Sequence, residues 1–166
     1  MSSNNNFEIT GASLDDLDEI TSLEAHGFPA DEAASKEAFI YRLKSFPNWF
    51  LTAKSDKKII GFINGILSDK ELIVDDVYLP NSEAESDGNN LLLFGLVVHA
   101  DYRRKGIAET LMKAILEKAK NKGIKHAALT CRETLIPYYE KFGFKKVGVS
   151  ESVIGNVVWY DMVIKL

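Results

Sequence analysis

The stretch Val97-Val98-His99-Ala100-Asp101-Tyr102-Arg103-Arg104-Lys105-Gly106-Ile107-Ala108 decides how this chain is read. An apolar run over 91–98 leads into a basic turn, and the turn leads into a helical pattern over about 105–121. A continuous run of branched apolar residues reads as a central strand covered on both faces. The first backbone N–H groups of the helix that follows have no partner within it. With the positive end of the helix dipole they form a site for an anion. Gly106 lets a phosphate approach the backbone, and Ala108 is small for the same reason. Arg103, Arg104 and Lys105 add positive charge to a chain whose net charge is −4. The spacing of a Walker P-loop is absent, and so is that of the dinucleotide fingerprint Gly-x-Gly-x-x-Gly.

Working outward, Phe7-Glu8-Ile9-Thr10 alternates as a short strand. Ser13 offers an N-cap, with Asp15 and Asp16 in the first turn and Leu14, Leu17, Ile20 and Leu23 at helical spacing. Phe28-Pro29 ends that helix. A second helix is expected over about 35–45, with Phe39, Ile40 and Leu43 inward. Strands at 49–53 and 59–67 form a hairpin across a polar turn. Residues 72–79 form a short helix or strand, and 81–90 a surface loop. After the motif helix, whose stripe is Ile107, Leu111, Ala114 and Ile115, Gly123 is a C-terminal cap. A strand at 126–131, a short helix at 135–142 and strands at 144–149 and 157–164 complete the chain.

At 166 residues and 46% hydrophobic, the chain suits one domain, taken as 1–166. Its acidic balance argues against a nucleic-acid partner. The single cysteine, Cys131, makes no internal disulfide. The three histidines lack metal-ligand spacing, so no metal site is expected. Residues 1–6 are polar and do not read as a leader. No apolar run approaches the roughly 20 residues of a spanning helix. A cytoplasmic protein without a membrane partner is therefore expected.

Arg103-x-x-Gly106-x-Ala108 after an apolar strand resembles the pyrophosphate motif of the GNAT acyltransferase superfamily, and the element order matches it over most of the chain. The resemblance implies an α+β fold: a mixed, mostly antiparallel central sheet of six to seven strands flanked by about four helices. It implies acetyl-CoA as cosubstrate, with the pyrophosphate at Arg103, Arg104, Lys105, Gly106, Ile107 and Ala108. It also implies that the backbone of Leu96, Val97 and Val98 pairs with the pantetheine arm. The final strands form dimer contacts in that family, so a homodimer is one open state.

Leu135-Ile136-Pro137-Tyr138-Tyr139-Glu140-Lys141-Phe142-Gly143-Phe144 is similar, more closely, to arylalkylamine N-acetyltransferases. That similarity makes Tyr139 the acid that protonates the departing thiolate, and leaves Tyr138 as a core aromatic. The vertebrate arylalkylamine enzymes carry two histidines on the central strand; Leu92 and Phe94 stand there here. The base is then open among Glu24, Asp75, Asp76 and Glu133. The expected activity is transfer of acetyl to a primary amine of a small molecule, arylalkylamine-like or a polyamine. A peptide or protein acetyltransferase and a non-catalytic acyl-CoA sensor are the alternatives.

Overall fold

The computed structural model describes residues 6–78 and 88–166. Seven strands form one sheet: β1 (Glu8–Gly11), β2 (Phe50–Ser55), β3 (Lys58–Ser68), β4 (Asn90–Val98), β5 (His126–Cys131), β6 (Lys145–Val149) and β7 (Tyr160–Lys165). Their order is β1-β2-β3-β4-β5-β7-β6. Only the β4–β5 pair is parallel. Four helices accompany the sheet: α1 (Leu17–Gly27), α2 (Lys36–Ser45), α3 (Ile107–Asn121) and α4 (Ile136–Glu140). This is the α+β architecture the sequence implied.

The β2–β3 connection is tighter than expected. Asp56 and Lys57 both have positive φ, 49° and 69°. Two such residues between paired Ser55 and Lys58 make a primed two-residue turn, whose twist suits a hairpin. The strands therefore run further into the polar turn than their apolar pattern indicates. At the other end Pro47–Trp49 is a 3-10 turn, so β2 begins at Phe50. The last strand begins at Tyr160 because a 3-10 turn at Ile154–Asn156, with positive φ at Gly155 and Asn156, occupies the chain before it. Residues 75–78 form another 3-10 turn. The loop expected at 81–90 lies outside the described residues up to 87, and Asn90 already belongs to β4.

The two faces of the sheet are covered by different helices. Strand alternation sends Gly61 and Phe62 to opposite sides. A Cβ at Gly61 would meet Ile107 and Leu111 of α3. Phe62 packs instead with Ile20 and Leu23 of α1 and Phe39 and Leu43 of α2. Ser35 caps α2, its hydroxyl accepting the Ala38 N–H at 3.1 Å. The α2 stripe differs from expectation: Ala38, Phe39, Tyr41, Arg42 and Leu43 are buried, while Ile40 is half-exposed. The α3 stripe includes Met112 and Ala119, and Ala114 is only half-buried. No described helix is long and apolar enough to cross a membrane.

Phe39, Phe50 and Phe62 form a ring cluster with centroids 5.7–5.9 Å apart, all fully buried. Phe62→Ala should lower unfolding free energy by about 3–5 kcal/mol in urea melts. A loss below about 1 kcal/mol would show that this cluster does not hold α1 and α2 to the sheet.

Candidate active site

β4 pairs with β3 from Asn90 to Val98, but with β5 at only three positions, ending at Leu92↔Ala128. Beyond that point the two strands part. A groove of about 500 Å³ opens along the end of β4. Its walls are Leu96, Val97 and Val98 of β4, Tyr102, Arg103, Arg104 and Gly106 of the turn, the start of α3, Gly27 and Phe28 at the end of α1, and Leu135, Tyr138 and Tyr139 near α4.

At one end of the groove the turn is shaped for an anion. Gly106 is the N-cap of α3 at φ 79°, and Arg104 precedes it at φ 63°. The helix thus starts at Ile107, two residues later than its pattern indicates. Nothing lies within 4 Å of a Cβ built on Gly106, so the space before the first turn is open. The Thr110 N–H and hydroxyl both donate to the Gly106 carbonyl, at 3.0 and 2.8 Å. The N–H groups of the preceding turn are left to face the groove. Arg103 donates from Nε to the Val98 carbonyl at 3.3 Å, which ties the turn to the strand. Lys105 is not among the groove-lining residues; its ammonium sits 5.6 Å from the Tyr102 ring.

At the other end stand the two tyrosines of α4. Tyr138 lines the groove as Tyr139 does, and is not the core aromatic expected of it. The rings meet edge-on at 5.1 Å, and Tyr139 also packs on Phe144. Burial, with Cys131 and Tyr138 beside it, pushes the Tyr139 phenol well above its usual value, so it stays protonated near neutral pH. Burial also pushes the Cys131 thiol up to about 11. A protonated, buried thiol is no nucleophile.

Across the sheet, the α1–α2 face carries the charged groups. β4 advances three residues, Leu93 to Leu96, while β3 advances two, Gly65 to Ile63. The extra residue makes a bulge at Phe94 and Gly95, of the kind that re-aims groups at active sites. Asn64 faces it, donating from Nδ2 to the Gly95 carbonyl at 3.3 Å and accepting from Arg42 Nη1 at 2.9 Å. Arg42 is only 2% exposed, donates to the Tyr78 carbonyl, and sits 4.4 Å from the Phe94 ring. Desolvation lowers it to about 10, leaving it cationic at neutral pH.

Glu24 of α1 is 5% exposed. Its Oε2 accepts the Ala34 N–H at 2.8 Å. Its Oε1 has no hydrogen-bond partner among the described residues and lies 3.3 Å from where a Gly95 Cβ would be. Burial raises its pKa, against the Ala34 hydrogen bond and the Arg42 charge. Of the other candidate bases, Asp75 Oδ2 accepts the Val153 N–H at 3.0 Å while its Oδ1, like Glu24 Oε1, is buried without a partner among the described residues, and Asp76 and Glu133 are exposed. His99 accepts the Asp101 N–H at 3.1 Å and caps the 3-10 turn before the motif.

Sequence reasoning missed Arg42, because a lone arginine in an apolar helical stripe reads as a solvated stem. It also missed Glu32. Both Glu32 oxygens accept from Arg132 Nη2, at 2.8 and 2.6 Å, and this joins the α1–α2 connection to the end of β5. The Trp159 ring lies 5.6 Å from Arg132, and a Cβ on Gly155 would press on the Glu32 side chain. The β6–β7 connection thus closes on the same ion pair. No local sequence signal marks a contact between residues so far apart.

Residues 14–144 match the acetyltransferase (GNAT) family. Serotonin N-acetyltransferase of Mesocricetus auratus is 28% identical over 115 residues, covering 69% of this chain and 52% of that protein. The chain thus spans about half the length of that relative. An N-alpha-acetyltransferase of Saccharolobus solfataricus is 29% identical over 152 residues, covering 86% of this chain and 83% of the other. Among solved structures, Ard1 from Thermoplasma volcanium superposes with a TM-score of 0.77 at 17% identity, covering 97% of this chain and 98% of that one. The opened β4–β5 edge, the glycine turn before α3 and the match over 14–144 lead to one conclusion: the chain belongs to the acetyltransferase (GNAT) family.

Proposed function

We propose that this chain is an acetyl-CoA-dependent N-acetyltransferase that moves an acetyl group to a primary amine of a small molecule, arylalkylamine-like or a polyamine. The reading fits the groove. The open space before Gly106, with Arg103 and Arg104 beside it, suits a pyrophosphate. The β4 edge beyond Leu92 has no ladder partner among the described residues and suits the amide groups of a pantetheine arm. On this reading a backbone N–H of that strand polarises the thioester carbonyl.

The protonated Tyr139 phenol supplies a proton to the departing thiolate. Such positioned acids contribute about 10²–10⁴-fold. Leu92 and Phe94 carry no proton, so a histidine relay on β4 is not part of this reading. The buried, unreactive Cys131 agrees with direct attack of the amine on the thioester, without an acyl-enzyme step. A reducing, cytoplasmic setting is part of the same reading.

The single observation behind a small acceptor is the Glu32–Arg132 pair. It ties the α1–α2 connection to the end of β5, which agrees with an acceptor smaller than an extended chain. The similarity to serotonin N-acetyltransferase points the same way. A peptide acceptor is the second reading, favoured by the longer match to the archaeal N-alpha-acetyltransferase. Release of free CoA from acetyl-CoA, with phenethylamine, tryptamine, spermidine and N-terminal peptides as acceptors, separates them. Turnover of the free amines and not of the peptides is expected; the reverse order would overturn the small-molecule reading.

Two variants probe the cosubstrate side. Gly106→Ala strains a left-handed turn by about 1 kcal/mol. Gly106→Glu also sets a carboxylate before the N–H groups, and should weaken acetyl-CoA binding by at least a further factor of about ten in calorimetry. Tyr139→Phe should lower kcat by about 10²-fold and leave the acetyl-CoA KM near its wild-type value. Because the phenol titrates well above its usual range, wild-type activity should show no alkaline loss from Tyr139 up to about pH 10.

A further inference from the structure

We infer that Glu24 is the group that takes the proton from the incoming ammonium, so that the amine nitrogen reaches the thioester with a free lone pair. The assignment rests on the amine-transfer reading above and names its base.

The argument begins with satisfaction. A buried carboxylate oxygen normally finds a donor. Glu24 Oε2 has one, the Ala34 N–H, which fixes the side chain. Glu24 Oε1 has none among the described residues, although it is buried. It is directed at the β4 bulge, within 3.3 Å of the position a Gly95 Cβ would take. A side chain at 95 would press on that oxygen and on Asn64 Nδ2, each 3.3 Å from the Cβ position. The missing donor and the missing Cβ therefore concern the same spot, beside the strand segment whose other edge is open.

A substrate ammonium supplies the donor that the protein withholds. Arg42 of α2 is the charged side chain whose field reaches Glu24. β3 presents the neutral Asn64 amide there, and β4 the Gly95 backbone. Arg42 does not neutralise Glu24 by direct contact, since its described hydrogen bonds go to Asn64 and to the Tyr78 carbonyl. It keeps the carboxylate ionised enough to accept, while burial keeps it basic enough to be useful.

The protons balance. The ammonium brings three N–H protons. One passes to Glu24 Oε1 before attack. The nitrogen then forms the C–N bond, the C–S bond breaks, and the sulfur takes a proton from Tyr139. The second N–H proton is lost after attack and restores the phenol, and the third stays on the amide. Glu24 returns its proton to solvent, so one proton is released per turnover.

Glu24→Gln tests the assignment with two acceptors. One is an alkylamine, protonated at neutral pH; the other is trifluoroethylamine, largely unprotonated there. With the alkylamine, kcat/KM at pH 7 should fall about 10²-fold. With trifluoroethylamine the loss should be far smaller. The variant's kcat/KM for the alkylamine should keep rising about tenfold per pH unit toward the amine's own pKa, where the wild type has levelled off. Acetyl-CoA binding should be unchanged; the melting temperature should fall modestly, since Arg42 loses the opposite charge near it. Equal losses with both acceptors, or pH profiles of the same shape, would overturn the assignment. So would a fall in melting temperature together with loss of acetyl-CoA binding, which would make Glu24 structural. The amine reading stands on wild-type turnover. The Glu24 assignment stands on the variant-to-wild-type ratio for whichever amine, small or peptidic, is turned over.

Discussion

β4 has two edges, and the protein fills only one of them along its length. β3 accompanies β4 throughout, whereas β5 leaves it after Leu92. Backbone N–H and C=O groups away from water need partners. A strand that loses its neighbour in the middle of a sheet therefore presents a template for something extended. The rest of the site is arranged around that opening. The end of α1 and the start of α3 stand along it, and α4 closes its far side. The long β3 ladder supplies the rigidity that lets the other edge stay unpaired.

The same strand carries the bulge, and the bulge is held from beneath by charge. Arg42 and Asn64 fasten the Gly95 segment from the α1–α2 face. Burying a guanidinium costs several kcal/mol unless its donors are met and an opposite charge lies near. Asn64, the Tyr78 carbonyl and the Phe94 ring meet part of that cost, and Glu24 supplies the field. An apolar residue at 42 would pack more simply. What the arginine provides is a defined bulge and a carboxylate that does not have to sit beside it. Orphan oxygens on Asp75 and Asp161 add to a region that gives up stability. Such concessions are typical of functional sites.

The order of elements was legible because the chain punctuates itself. The apolar run at 91–98, the glycine turn at 106 and the glycine at 123 each mark a boundary with a physical cause. The anion turn was legible for the same reason, since its residues are contiguous. Lys105 was misplaced within it because sequence gives charge without direction, and its ammonium turned onto Tyr102. Tyr138 was misplaced because adjacent helical residues were expected to divide between core and groove, and a five-residue helix at the groove's rim lets both face it. The acceptor side was least legible. Glu24, Arg42, Asn64 and Gly95 come from α1, α2, β3 and β4, and each alone is an ordinary residue in an ordinary element. Only the bulge brings them together, and a bulge of one residue leaves no periodic trace in a fully apolar strand.

The placement of proton-handling groups follows from the alternation of β5. Thr130 and Cys131 point to opposite faces. The Thr130 and Tyr78 hydroxyls share a hydrogen bond of 3.3 Å on the α1–α2 side, while Cys131 lies beside Tyr139 on the α3–α4 side. Glu24 therefore stands on one face of the sheet and Tyr139 on the other. Burial raises both, but to different effect: it makes the carboxylate a better acceptor and keeps the phenol a donor. On the proposed function, the carboxylate and the phenol thus act on the amine and on the thioester sulfur from opposite faces of the sheet, and neither has to reach the other.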